Sequence, residues 1–233
     1  MDQMNQTETM KRKLNEGRQF RRNDHCPEFR ALNTTDDNGN EEMRVEGHAC
    51  TFNEPYTLYT YRDWDGMTVS INEQIDSHAF DGCDMSDVIM QYDHSGRVMA
   101  RTRNNTLEIS TDDKGLFVRA DLSKSELGVG LFKDIKNGIV DRMSFGFTVD
   151  EDKREETTNE KDGTITVLRT ITKIGKLYDV SAVSFPANDG TDISARSYSD
   201  GVIEELRAER LEVQKKERRK KALMLKLRLM EEN

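Results

Sequence analysis

The chain has 233 residues, 34% of them hydrophobic and 34% charged, with a formal net charge of −9. That is room for one substantial domain plus peripheral segments, because so polar a chain cannot be packed from end to end. The acidic balance excludes a broad phosphate-binding surface and makes nucleic acid an unfitting partner, since counterion release needs clustered Lys and Arg; residues 45–200 carry 17 basic and 28 acidic groups, residues 201–233 carry 10 and 7.

Residues 1–43 read as a polar leader, expected to be flexible, with the turn-rich run Asn33-Thr34-Thr35-Asp36-Asp37-Asn38-Gly39-Asn40 burying nothing. From residue 44 the pattern changes to short β-prone runs separated by turn residues: Gly47 to Phe52, Thr68 to Glu73, Val88 to Tyr92, Thr106 to Ser110, Leu116 to Asp121, Ser144 to Asp150, Thr164 to Ile174 and Val180 to Phe185. This spacing predicts a mainly β fold with helices, α+β in class, with a barrel or sandwich at its centre. Ser125 to Asn137 reads as a helix, with Leu127, Leu131 and Ile135 at steps of four, a serine N-cap and Gly138 past its end. Lys161-Asp162-Gly163 marks a hairpin turn. Val202 to Met230 has the Glu, Lys, Arg and Leu content of a long solvated helix. A heptad of Ile203, Leu206, Val213, Met224 and Leu227 is broken by Arg210, Glu217 and Lys220, leaving self-association through this helix and an exposed tail both open.

The three cysteines, Cys26, Cys50 and Cys83, are odd in number and widely spaced, as expected of reduced thiols rather than a zinc or redox pair. The N-terminus lacks a basic region followed by an apolar run, and no run approaches the ~18 apolar residues of a membrane span. The expectation is a protein of the cytoplasm in which it is made, with no membrane association. Asp63-Trp64-Asp65-Gly66 lacks the later acids of a calcium loop and reads as a turn, and His25, His48 and His78 do not cluster as ligands. No cofactor and no metal are expected.

Two segments carry candidate chemistry. Tyr92-Asp93-His94-Ser95-Gly96 sets a histidine in a turn, and Arg142-Met143-Ser144-Phe145-Gly146-Phe147 sets a serine in an aromatic strand; a base and a hydroxyl nucleophile are what acyl transfer requires. On a strand of period two, Met143, Phe145 and Phe147 share the core face, while Ser144 and Gly146 share the other, where the glycine is expected to clear room for a substrate backbone. A half-buried strand with serine on its outer face has the same pattern, and the residues alone leave both readings open. Asp179 interrupts a strand-like run and must face a partner or solvent; if it reaches His94 it can fix the ring's tautomer, as the third member of a triad does.

Glu46-Gly47-His48-Ala49-Cys50-Thr51-Phe52-Asn53, Glu73-Gln74-Ile75, His78-Ala79-Phe80, the His94 segment, Thr106-Leu107-Glu108, Gly115-Leu116, the Ser144 segment, Asp179-Val180-Ser181 and Phe185-Pro186-Ala187 follow one another in an order that resembles the tailed-bacteriophage prohead maturation proteases, across roughly residues 44–197. That family resembles the herpesvirus assemblins, serine proteases built on a β-barrel surrounded by helices. The resemblance implies a serine endopeptidase, packaged in the assembling prohead in the bacterial host, that cleaves scaffold or the scaffold-like segment of the major capsid protein, and itself. It places His94 as the catalytic histidine and Ser144 as the nucleophile, with Asp179 as the third member. The family's histidine commonly follows Asn where this chain has Asp93, and assemblins use an arginine loop for the oxyanion where this chain has Pro186-Ala187-Asn188-Asp189-Gly190. An inactive capsid assembly module of the same fold is the competing class. The implied organisation is a leader (1–43), a protease domain (44–197) and a charged C-terminal helix or tail (198–233).

Overall fold

A computed structural model describes residues 17–23, 29–32, 34–35, 39, 42–63, 65–184 and 193–231. In chain order the strands are β1 (Gln19–Asn23), β2 (Arg30–Ala31), β3 (Arg44–Thr51), β4 (Tyr56–Arg62), β5 (Thr68–Ile75), β6 (Ile89–Tyr92), β7 (Ser95–Arg101), β8 (Leu107–Thr111), β9 (Gly115–Asp121), β10 (Arg142–Asn159) and β11 (Thr164–Val183). Helix α1 (Glu126–Lys136) lies between β9 and β10, and α2 (Ile193–Glu231) follows β11.

The strands form two sheets. One has four antiparallel strands in the order β2-β3-β9-β8; the other is built on β1-β10-β11-β5-β4, with β6 pairing β11 and β7 pairing β6. Neither order closes on itself among the described residues, so the mainly β, α+β expectation holds, while the strands are laid out as open sheets rather than a closed barrel. The spine is the β10–β11 hairpin, whose turn follows Asn159 and ends at Gly163, held at φ 62°. The two runs expected as separate strands from Thr164 and from Val180 are one strand, because β11 has a parallel partner for each half: β5 along Thr164 to Ile171 and β6 along Asp179 to Ala182.

The alternation of apolar residues on β3, β5, β9, β10 and β11 builds one core in which Val45, Leu116, Phe145, Phe147, Ile174 and Val180 are buried. Helix α1 starts where Ser125 Oγ accepts from Gly128 N (3.4 Å) and ends before Gly138 at φ 69°. It buries Leu131, Phe132 and Ile135 but leaves Leu127 exposed. A Cβ on Gly128 would meet the Leu122 carbonyl oxygen at 2.5 Å, so glycine in the first turn is what lets the helix lie this close to β9's end. Val202, Ile203 and Leu206 of α2 pack on Val69, Ile71, Ile165 and Val167, whereas Leu211, Val213, Leu223 and Met224 are exposed. No described helix is long and apolar enough to cross a membrane.

Part of the stretch expected to be a flexible leader is sheet. Gln19–Asn23 pairs antiparallel with β10, Phe20 opposite Gly146 and Arg22 opposite Ser144, and Arg30–Ala31 pairs with β3. Alternation explains why composition concealed this. Gln19 and Arg21 are 2% and 4% exposed, with Gln19 Oε1 accepting from Arg21 and Arg169 and Arg21 ending on Glu73, so the segment enters the fold without an apolar signature.

Candidate active site

Ser144 is near the start of β10, two residues after Arg142, held between β1 at Arg22 and β11 at Ser181. It is 4% exposed, so the strand is buried on both faces rather than half-buried. Its Oγ is 2.5 Å from His94 Nε2 and 2.9 Å from the carbonyl oxygen of Arg21. One hydroxyl proton serves one of these acceptors at a time.

His94 reaches Ser144 from the two-residue connection between β6 and β7, where Tyr92 pairs with Ser95. Asp93 and His94 have φ of 47° and 55°, both left-handed, which is the signature of a type I′ hairpin. Asp and His are among the few non-glycine types enriched there, and the conformation costs each roughly 1–2 kcal/mol. The turn is held from outside. Asp93 N donates to Ala182 O (3.0 Å), and the Asp93 carboxylate accepts from Ser184 N (2.9 Å) and Ser184 Oγ (2.9 Å). This fastens the hairpin to the end of β11, and Asn in place of Asp93, the residue usual in the family resemblance, keeps an acceptor for the same N–H.

On its other side His94 Nδ1 hydrogen-bonds Asp179 Oδ2. Asp179 is wholly buried in β11 opposite Gly146 of β10, and a buried carboxylate needs partners to stay charged. Ser181 Oγ donates to its Oδ2 (2.7 Å) and Arg18 forms an ion pair with Oδ1. Arg18 also lies over the rings of Phe20 and Tyr178, each 4.9 Å from guanidinium carbon to centroid, and Phe20 packs on the His94 ring at 4.5 Å. Sequence reasoning expected Gly146 to admit a substrate backbone. The space is instead taken by the triad's own support: a Cβ there would meet Arg18 Nε at 2.7 Å and Nη2 at 2.9 Å, and the Asp179 carboxylate nearer still.

The three candidate residues thus meet, in the order acid, imidazole, hydroxyl. Arg18, Phe20, Arg21, Asp93 and Ser181 are the neighbours that sequence reasoning missed; the Arg-Gln-Phe-Arg alternation of residues 18–21 was the one available hint of a strand with two different faces. His48 is elsewhere, with Nε2 2.8 Å from Asp112 and its ring against Phe117, and His78 is exposed beside Asp81. His25 and the expected oxyanion-loop segment Pro186 to Gly190 lie outside the described residues. Gly66 N donates to Asp63 O (3.0 Å), and Trp64 lies outside the described residues.

A second buried polar cluster lies on the opposite face of β1. Glu73 of β5 receives Arg21 through Nε and through Nη2 (3.0 Å), Arg169 Nη1 (2.7 Å) and the Tyr56 hydroxyl (2.5 Å). Burial pushes the Glu73 carboxyl up, but Arg21 and Arg169 outweigh it and hold it at about 2. The same burial, with Glu73 adjacent, drives the Tyr56 phenol well above its ordinary range.

A hydroxyl, an imidazole and a buried carboxylate joined in series on a sheet are the constellation of serine hydrolases, which recurs on unrelated folds. Residues 30–202, more than half of the chain, match the caudovirus prohead serine protease family, and the chain belongs to that family. It is 34% identical over 96 residues to the prohead protease of Enterobacteria phage HK97, a match covering 40% of this chain and 39% of that relative's length. No solved structure matches.

Proposed function

We propose that the chain is a serine endopeptidase of prohead maturation, cleaving scaffold or the scaffold-like segment of the major capsid protein, and itself, within the assembling prohead. The observation that carries this is the unbroken series from Asp179 through His94 to Ser144. In the proposed mechanism His94 Nε2 takes the Ser144 proton as Oγ attacks the carbonyl carbon. Asp179 holds the ring with Nδ1–H directed at itself and stabilises the imidazolium, which then protonates the departing amine. Water enters by the same proton path and releases the acyl group from Ser144. Kinship with the assemblins belongs to this reading, supported by the mainly β core with α1 packed on its outside. The proposed protease domain takes in residues 44–197 together with the strand Gln19–Asn23.

The test is to label purified protein with a fluorophosphonate and to coexpress it with the major capsid protein. Labelling that disappears in Ser144→Ala and His94→Ala, together with loss of capsid-protein processing, is expected. Processing by Ser144→Ala at the wild-type level refutes the assignment.

A further inference from the structure

Resting on that protease reading, we propose that Ser181 is a positioning residue of the site: its hydroxyl fixes which oxygen of Asp179 faces the imidazole and holds it there while the imidazolium forms. Three observations converge. First, the two oxygens of Asp179 are held by different parts of the chain. Oδ2 accepts from both the Ser181 hydroxyl (2.7 Å) and His94 Nδ1, whereas Arg18 pairs with Oδ1. Second, Ser181 stands opposite Ser144 across the β10–β11 ladder, as Asp179 stands opposite Gly146. These four residues therefore share one face of the sheet, with the His94 ring joining Asp179 to Ser144. Third, Ser181 and Asp179 have no exposed surface, so bulk water does not compete for their bond.

Two hydroxyls thus lie on neighbouring strands, and their partners give them different tasks. Ser144 Oγ meets His94 Nε2 at 2.5 Å and is placed to lose its proton to the ring, while Ser181 directs its single proton to the carboxylate. A carboxylate is symmetric, and an ion pair with a long side chain leaves it able to pivot about its last bond; the Arg18 side chain is also 34% exposed. A donor two residues along the same strand, one rotatable bond from the backbone, removes that freedom. His94 Nδ1–H then meets an oxygen whose direction is already set, and a preorganised partner is what best stabilises a charge that appears during proton transfer. Without the hydroxyl, Asp179 keeps Arg18 but loses its aim, and the imidazolium is stabilised less. Arg18, ahead of β1, and Asp93, which adjoins His94 with its carboxylate on Ser184, bear on the pair from other elements, and both are retained in the variants below.

A merely structural hydrogen bond would affect stability alone, so the test reads the pH dependence of the chemistry. Full-length wild type and Ser181→Ala are labelled with a fluorophosphonate from about pH 5 to pH 8, the range in which histidine changes charge. The labelled residue is located by peptide mass spectrometry, and urea midpoints are taken in parallel. The label is expected on Ser144 in both proteins, with a plateau rate about tenfold lower in Ser181→Ala, the size set by a hydrogen bond to a charged group. The acid limb of the profile is expected to move to lower pH, because a less stabilised imidazolium gives up its proton sooner. Should Ser181→Ala not fold, Ser181→Cys, near in size and a weaker donor, is read by the same two measures and is expected to be slower than wild type with its acid limb moved the same way. A lower urea midpoint with an unchanged profile makes Ser181 structural and overturns the inference. Faster labelling with an acid limb at higher pH also overturns it, since Ser181 would then be drawing charge from Oδ2 rather than aiming it. Either result leaves the protease reading standing, whereas absence of Ser144 labelling in folded wild type overturns that reading itself.

Discussion

Gly146→Ala isolates the contact between Asp179 and the rest of the site without touching any reacting group. The added methyl would sit 2.7 Å from Arg18 Nε, 2.9 Å from its Nη2 and closer still to the Asp179 carboxylate, where real Cβ contacts essentially never fall below 3.0 Å. Gly146 does not occupy left-handed backbone, so alanine meets no conformational penalty and the whole effect is steric. To regain ordinary contact the carboxylate must retreat by about 1 Å, which breaks its bond to His94 Nδ1, and a misplacement of that size costs roughly 10²-fold in rate. That is about 2.7 kcal/mol of transition-state stabilisation. Overpacking costs the fold roughly 1–3 kcal/mol, so urea unfolding is run alongside to show that the variant is native in the assay. Gly130→Ala in the exposed face of α1, where nothing lies within 4 Å of the new methyl, is the matched control and is expected to keep full activity. The assay is fluorophosphonate labelling rate and peptide hydrolysis. A folded Gly146→Ala protein with wild-type rates refutes the idea that Asp179 must touch His94 for catalysis.

Asp93→Ala removes the acceptor for Ser184 and frees a strained histidine turn, and is expected to lower kcat about tenfold with KM little changed, whereas Asp93→Asn retains an acceptor and most of the activity; equal rates in both variants and wild type would show that the clamp does not position His94. Glu73 ionises at about 2 in the folded chain against an ordinary 4.5, so its contribution of about 3 kcal/mol is full above pH 4.5 and is lost as pH falls toward 2. Urea midpoints at pH 6 and pH 3 should therefore diverge more in wild type than in Glu73→Gln, and parallel losses count against it. Cys83, whose thiol is pushed up to about 11 by burial, is expected to alkylate at pH 8 far more slowly than an ordinary free thiol, as peptide mass spectrometry would show. For self-processing, intact mass should reveal a shortened chain in wild type and none in Ser144→Ala; identical termini argue that the chain does not cut itself.

The central strands were legible because each buries one apolar series against the core, and α1 because its serine cap, glycine stop and step-of-four residues agree. His94, Ser144 and Asp179 stood out as a polar residue set in a turn, an aromatic strand and an apolar run, but those patterns left both readings open, and it was the family resemblance that gave the three their expected roles. What was not legible has a common cause. Gln19, Arg21, Glu73 and Arg169 are buried together, so each looks solvated when read singly, and only the cluster makes burial tolerable. Gly146 was expected to clear room for a substrate backbone, and the room is taken by Asp179 and Arg18, which sequence could not show because they arrive from 33 residues later and 128 residues earlier. Strand β4 escaped because Tyr56–Arg62 is largely exposed and carries no clean alternation.

Arg18, just before β1, and Arg21, within it, give the site its electrostatic logic. The body of the chain is acidic, and its two most buried carboxylates near Ser144 lie on opposite faces of β1, Asp179 toward the histidine and Glu73 beneath. Extended backbone from Arg18 into β1 sends Arg18 to the first and Arg21 to the second, so one short segment serves both. These bonds differ in consequence. Arg18 shares the Asp179 carboxylate with the His94 ring, while the Arg21 side chain ends on Glu73, on the far face of β1 from His94. Replacing Arg18 with Gln is therefore expected to raise the labelling rate of Ser144, and replacing Arg21 with Gln to leave it nearly unchanged while loosening β1. The opposite ranking, with Arg18→Gln slower than wild type in a folded protein, would show that the guanidinium instead keeps Asp179 charged and aligned.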